Sequence, residues 1–309
     1  MKKIIYTGLI FLLSTMLFSC GENDKTSGEE GKLKVVATTT MIADAVENIA
    51  GDKVALYPPL CGTGVDPHSY SATTKDIKNM SEADIIFYNG LRLEDQMENI
   101  LKKMTEKSVP AAEAVPESKL LTWKSGEHKI GYDPHVWGNP VLWLDVVDRI
   151  ASVLAEKDAE NKAFYMNNAD AYKDRIKETD SYAKEQTALI PENQRVLITS
   201  HDAFHYFAEH YGLKSKSILG ISTQNEAGVQ DIQNLADFIS ENEIKTIFTE
   251  TTDNKKTKKA LQEAVSARGG KVNISKEPLF SDSFGTKPPA NTYLGMMRHN
   301  VNAIAEGLK

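Results

Sequence analysis

The sequence predicts an α/β protein of two domains, each with a mainly parallel sheet flanked by helices, joined by a single long helix. Short β-branched runs alternate with helix-period stretches in both halves of the 309 residues, the pattern of parallel strands connected by helices. Between the halves, residues 161–187 contain neither Gly nor Pro. After an N-terminal leader, roughly 280 residues remain, which is long for one core and suits two.

Met1-Lys2-Lys3 is a basic start and residues 4–18 form an apolar stretch too short and wrongly flanked to span a membrane, so residues 1–19 read as a signal peptide. Leu17-Phe18-Ser19-Cys20 resembles the lipobox of bacterial lipoproteins, with Phe18 bulkier than usual there; cleavage before Cys20 would expose its sulfur for lipid attachment. The expected location is extracytoplasmic, held by acyl chains to a bacterial membrane, in a periplasm or at a cell surface. Residues 20–32, rich in Gly, Ser, Glu, Asn and Lys, read as the lipidated flexible tether.

The N-terminal domain is expected over residues 33–160. Lys34-Val35-Val36-Ala37-Thr38 is a strand, and residues 41–50 place apolar side chains at helical spacing before Gly51. Residues 54–57 form the next strand, leading through Pro58-Pro59 to a Gly-containing loop that ends at His68. A helix at 74–80 and a strand at 85–88, stopped by Asn89-Gly90, continue the alternation. Asn139-Pro140 reads as N-cap and first-turn proline of a helix running through residue 154. Residues 161–190 are the connecting helix, on the order of 40 Å long at 1.5 Å per residue. Its thin apolar stripe (Phe164, Tyr165, Ala171, Tyr172, Ile176, Ala183) suits a rigid connector. In the C-terminal domain, residues 191–309, strands at 195–199 and 246–249 alternate with helices at 203–211, 255–268 and 293–308.

Composition narrows the partners. The net charge of −7 and the absence of a Lys/Arg-rich block exclude nucleic acid as an expected partner. Of two cysteines, Cys20 is assigned to lipid, so Cys61 has no partner for an intramolecular disulfide and reads as a small buried filler. A monomer is expected.

The chemistry lies in two copies of Asp-Pro-His: Asp66-Pro67-His68 and Asp133-Pro134-His135. One such tripeptide is most often a turn. Two, each before a helical stretch, point to metal, because proline fixes the loop and lowers the entropy lost when an imidazole ligates. Ligands of open parallel sheets bind at the strand carboxyl ends, here facing each other across an interdomain cleft. His68, His135, His201 and Glu250 fall at those ends, with Asp282 in a nearby loop. Three imidazoles and one carboxylate would hold zinc or manganese. Asp66 and Asp133 are candidates to orient the rings or cap helices, and Glu250 to line the site without ligating. His201 and His205, four residues apart, echo the His-Glu-x-x-His of metalloproteases, but Asp202 is too short to serve as the base. His205, His210 and His299 read as helix surface or packing, and His128 as a solvent-facing loop residue.

These residues carry a family resemblance. The stretches Gly64-Val65-Asp66-Pro67-His68-Ser69-Tyr70, Asp133-Pro134-His135-Val136-Trp137, Ser200-His201-Asp202-Ala203-Phe204-His205-Tyr206-Phe207 and Phe280-Ser281-Asp282-Ser283-Phe284-Gly285 stand in the order and spacing of the manganese/zinc solute-binding lipoproteins of ABC transporters. Those proteins are also described as adhesion lipoproteins, and the chain resembles them over residues 33–309. The resemblance implies metal held by His68 and His135 from one domain and His201 and Asp282 from the other, with delivery to a membrane permease. Manganese carriers of the family often have Glu where this chain has His201. Zinc-dedicated relatives commonly carry a His-rich acidic loop, absent around Glu127-His128. Three nitrogens and one oxygen favour zinc, with manganese close behind. The competing expectation is a metal-dependent hydrolase in the same cleft, with three ligands and an activated water. An adhesin role would overlie transport, since the sequence offers no separate adhesive module.

Overall fold

The computed structural model describes residues 31–125, 128–223, 228–251 and 255–309. The leader, Cys20, the tether up to residue 30, and Glu127 lie outside the described residues. Strands β1 (Leu33–Ala37), β2 (Val54–Leu56), β3 (Ile85–Tyr88) and β4 (Ser108–Pro110) form a wholly parallel sheet in the order β2-β1-β3-β4. Helices α1 (Thr40–Ala50), α2 (Thr74–Glu82), α3 (Glu98–Lys103) and α4 (Pro140–Lys157) accompany it. Their starts are chemically marked. Thr39 caps α1 through Ile42 N–H, Thr73 and Asp76 make a reciprocal capping box on α2, and Asn139 caps α4 ahead of Pro140.

An antiparallel hairpin, β5 (Thr122–Ser125) and β6 (His128–Tyr132), precedes the second Asp-Pro-His. His128 therefore opens a strand, where the sequence suggested a loop. Helix α5 (Lys162–Ala188) connects the sheets. The second sheet, β10-β9-β7-β8, is again parallel, built from β7 (Val196–Thr199), β8 (Lys214–Ser217), β9 (Thr246–Ile247) and β10 (Asn273–Ile274). Helices α6 (His205–His210), α7 (Val229–Glu241), α8 (Lys255–Ala267) and α9 (Tyr293–Leu308) complete it.

Period-two alternation divides the strands between cores. Val35, Ala37, Ile85 and Phe87 face one way, while Val36 and Ile86 face an outer cluster with Tyr57, Cys61, Met80 and Met97. In the second sheet Leu197 faces inward and Ile198 outward, against Leu235, Ile239, Leu261 and Val265. The inward faces meet in one continuous apolar cluster that includes Ile42 and Val46 of α1, Trp143 of α4, Tyr172 and Ile176 of α5, Phe248, and Tyr293 and Ile304 of α9. Two separate cores were expected from length, yet the middle core is shared.

Helix α5 is correspondingly more than a spacer. Tyr165, Ala169, Tyr172, Ile176, Thr179, Asp180, Ala183 and Thr187 form a buried stripe. It packs on α1 and α4 of the first sheet and on α9 of the second. Phe164, counted in the sequence stripe, is 37% exposed and lies outside it. The structure's stripe recruits polar residues instead: Asp180 accepts from His210 Nε2 at 2.7 Å and from the Tyr211 hydroxyl at 3.1 Å. His210 is thus a packing residue bonded to α5. No described helix is long and apolar enough to cross a membrane.

Candidate metal centre

His68, His135, His201 and Asp282 converge at the carboxyl ends of both sheets, each at most 2% exposed. One donor atom from each lies within 4.8 Å of the others, the sole such cluster among the described residues. Three of the six donor separations are 3.2 Å between the Nε2 atoms of His68 and His135, 3.4 Å from His135 Nε2 to Asp282 Oδ1, and 3.1 Å from His201 Nε2 to Asp282 Oδ2. A tetrahedral shell with bonds of ~2.0–2.1 Å has edges of about 3.3–3.4 Å. These three edges lie close to that length.

The His135 turn is built locally. Pro134 stiffens it, and Asp133 Oδ1 accepts both the His135 main-chain N–H at 3.0 Å and the ring Nδ1–H at 2.7 Å. Nε2 is thereby left to face the centre. Below the turn, Asn89 donates to Pro134 O at 3.0 Å, and buried Glu94 accepts the N–H groups of Asn89 and Gly90 and the Thr38 hydroxyl. Gly138 ends the turn against α6, where a Cβ would come within 3.2 Å of Phe207 N. The His68 loop differs. Asp66 Oδ1 accepts the His68 main-chain N–H at 2.9 Å, and its other oxygen accepts the Ser69 and Thr223 hydroxyls. Asp66 therefore shapes its loop and reaches across the cleft; the ring-orienting role considered for it falls to Asp133 alone of the two.

On the opposite side Glu250, beyond β9, grips the loop after β7. Its Oε1 accepts Ser200 N–H at 2.8 Å and His201 N–H at 3.0 Å, and Oε2 lies 2.5 Å from His201 Nδ1. Asp282 sits in a loop of the second domain that the first domain pins. Trp137 Nε1 donates to Ser281 O at 2.9 Å, Gly64 N–H to Ser283 Oγ at 2.9 Å, and Phe284 N–H to Thr40 Oγ1 at 3.1 Å. Trp137 and Ser283, which stand in the quoted motifs, and Thr40, Asn89 and Glu94 support the site without having been given that role from sequence, because none of them carries a recognisable ligand spacing.

Electrostatics set the protonation pattern. Burial pushes His68 down to about 4, against the pull of Asp282. Burial also depresses His135, but Asp133 beside it wins, and the ring is raised to about 9. His201 is buried yet driven well above its ordinary value by Glu250 and Asp282. Burial opposes ionisation of Asp282, but the adjacent His201 and His135 hold it well below the usual carboxylate range. Neither Asp282 oxygen takes a hydrogen bond of good geometry, nor does His201 Nε2. The fully buried carboxylate is compensated here only by its ion pairs with the two raised rings, and a metal cation can take the place of their protons. Three imidazole nitrogens and one carboxylate oxygen suit zinc or manganese.

The profile of the ZnuA family, zinc-uptake complex component A, periplasmic, matches residues 35–307. The chain belongs to this family. It is 39% identical to the manganese-binding lipoprotein MntA of Bacillus subtilis (strain 168), over 96% of this chain and 99% of that protein. With the zinc-binding protein TroA of Treponema pallidum (strain Nichols) it shares 38% identity over 94% of each chain. The manganese ABC transporter substrate-binding lipoprotein PsaA of Streptococcus pneumoniae serotype 4 is 33% identical over 100% of this chain and 99% of its own. Among solved structures, the periplasmic zinc-binding protein TroA from Treponema pallidum superposes with a TM-score of 0.86 at 38% identity, covering 90% of this chain and 99% of that one. The fold is thus that of the family: two parallel-sheet domains with a long helix between them.

The other sequence candidates lie outside the cluster. Cys61 is fully buried in the outer core of the first sheet, its thiol pushed up first by burial and then by nearby carboxylates. His299 Nε2 lies 2.8 Å from Pro278 O. His205, at the start of α6, lies between Asp133 and Asp202.

Proposed function

We propose that this protein is the extracytoplasmic solute-binding component of an ABC transporter, capturing a divalent transition metal between its domains and delivering it to a membrane permease. His68, His135, His201 and Asp282 hold the ion, with Asp133 and Glu250 orienting two of the rings. The observation that carries the reading is the buried Asp282 carboxylate, free of good hydrogen bonds and 3.1–3.4 Å from two imidazole nitrogens. The metal is cargo. Zinc is favoured by ligand type, with manganese the nearest competitor, and the relatives' names include both metals.

A monomeric working unit is consistent with one chain supplying all four ligands. Residues 1–19 serve as signal peptide, Cys20 takes the lipid, and residues 20–32 tether a body of two domains, 33–160 and 191–309, linked through 161–190. The lipoprotein names of several relatives and the family's periplasmic description support a location outside the cytoplasm on a bacterial membrane. The protein is read as a binding protein rather than an enzyme: four converging buried ligands leave no position for the activated water of a hydrolase.

Competitive titration of apo-protein with zinc and manganese tests the reading. One ion per chain is expected, with zinc bound more tightly. Stoichiometric binding of neither metal, or metal-dependent hydrolysis of esters or peptides, would contradict it.

A further inference from the structure

Asp133 is fully buried and divides its oxygens unequally. Oδ1 serves the main chain and ring of His135, while Oδ2 takes no hydrogen bond of good geometry. The cationic group that faces Oδ2 comes from the other domain: His205 Nδ1, at 3.3 Å. On its far side, His205 Nε2 lies 3.0 Å from Asp202 Oδ1. Asp133 first, then Asp202, raise His205 to about 10, so the ring is cationic at neutral pH. A buried carboxylate with one uncompensated oxygen is free to turn toward whatever compensates it, and turning Asp133 would take His135 Nδ1–H with it.

We propose that His205 is a positioning residue for the bound metal, clamping the outer oxygen of Asp133 from the opposite domain and so fixing the ring of His135. The proposal rests on the four-ligand reading above and extends the support of the site to a side chain that touches no ligand of the cluster. It also couples the halves: Asp133 holds His135 in its best orientation only while α6 is docked against the His135 turn. The hydroxyl of Tyr206, next to His205 on α6, fastens the same contact by donating to Asp133 O at 3.0 Å and accepting from Leu121 N–H at 2.9 Å.

The side chain of His205 is 37% exposed. It borders a cavity of about 550 Å3 shared with Asp202, Lys216 and Asp231, so shortening it leaves no sealed void. Zinc affinity, measured by competition with a chromophoric chelator, tests the proposal in full-length protein. His205→Ala is expected to weaken zinc about 10-fold, the lower end for loss of an outer partner. His205→Asn, whose amide N–H can stand where Nδ1 stands, restores most of the loss. His205→Gln, whose amide reaches instead to the Nε2 position facing Asp202, does not. In a His68→Ala background His205→Ala keeps its full effect, and in a His135→Ala background it has none.

Parent-like zinc affinity in His205→Ala, equal rescue by Gln and Asn, or an undiminished effect without His135 would each overturn the proposal. Parent-like binding by His135→Ala itself would overturn the four-ligand site, and this proposal with it. A merely structural role for His205 predicts equal losses in both backgrounds, which is why the pair of backgrounds is decisive.

Discussion

His135 and the carboxylate that orients it are two residues apart on one proline-stiffened turn, whereas His201 and Glu250 are brought together from the ends of two strands, 49 residues apart in sequence. Asp133 serves His135 with a single oxygen; Glu250 commits both, one to main-chain N–H groups and one to the ring. Asp282 has no local orienter, and its loop is held by Trp137, Gly64 and Thr40 of the first domain. The first half of the site thus carries ligand and orienter on one turn, braced at Asp133 by His205 of the other domain. The second half depends on a folded sheet and on contact with its neighbour.

The largest effects should come from the ligands themselves. Replacing His68, His135, His201 or Asp282 singly by Ala is expected to cost more than ~100-fold in zinc affinity, beyond the ~10–100-fold typical of outer partners. Calorimetric titration checks this. A variant that kept parent affinity would remove its residue from the shell, and loss confined to one half would mean that the other half does not ligate.

The orienters come next, and here the halves should separate. In Asp133→Asn the remaining oxygen can still accept both His135 N–H groups, so a loss near ~10-fold is expected. In Glu250→Gln one group must face His201 Nδ1 with an amide N–H. That forces the ring proton onto Nε2 and blocks ligation, so a loss near ~100-fold is expected. Chelator competition on the two variants would reverse this ranking if the orientation argument is wrong.

The same contrast explains what could be read from the sequence. Both Asp-Pro-His turns are visible because ligand, stiffener and neighbouring carboxylate are contiguous. Strand and helix alternation was legible from β-branched runs and caps such as Asn139-Pro140. The short strands β4, β8 and β10 were missed, as were the β5-β6 hairpin and α7: Lys214-Ser215-Lys216-Ser217 is half exposed and has no apolar pattern to give it away. Glu250 was legible as a non-ligating neighbour of the site, but its hold on His201 was not, since that depends on the register of β7 beside β9. Nor did length reveal the shared core, because the inward faces of both sheets close over α1, α4, α5 and α9 instead of separately.

His135, raised to about 9, and His201, raised well above its ordinary value, carry protons at neutral pH, while His68, lowered to about 4, does not. Metal needs the free Nε2 lone pair, so uptake at pH 7 should expel about two protons, one from each half. Affinity should accordingly rise with pH through the neutral range. Calorimetry in buffers of different ionisation enthalpy measures the number, and a value near zero would contradict the protonation pattern.

The smallest expected effect is at the domain contact. Tyr206→Phe removes the hydroxyl that accepts from Leu121 N–H and donates to Asp133 O, and should cost about 1–2 kcal/mol of stability while sparing the ligand set. Denaturant unfolding of the apo-protein checks it.

The proposed function requires that one ion be held jointly by the two halves. Anomalous diffraction at the zinc edge from crystals of the metal-loaded protein tests it most directly. A single strong peak is expected ~2.0–2.2 Å from the Nε2 atoms of His68, His135 and His201 and from an Asp282 oxygen. A peak coordinated from one half alone, or located away from these four residues, would contradict it.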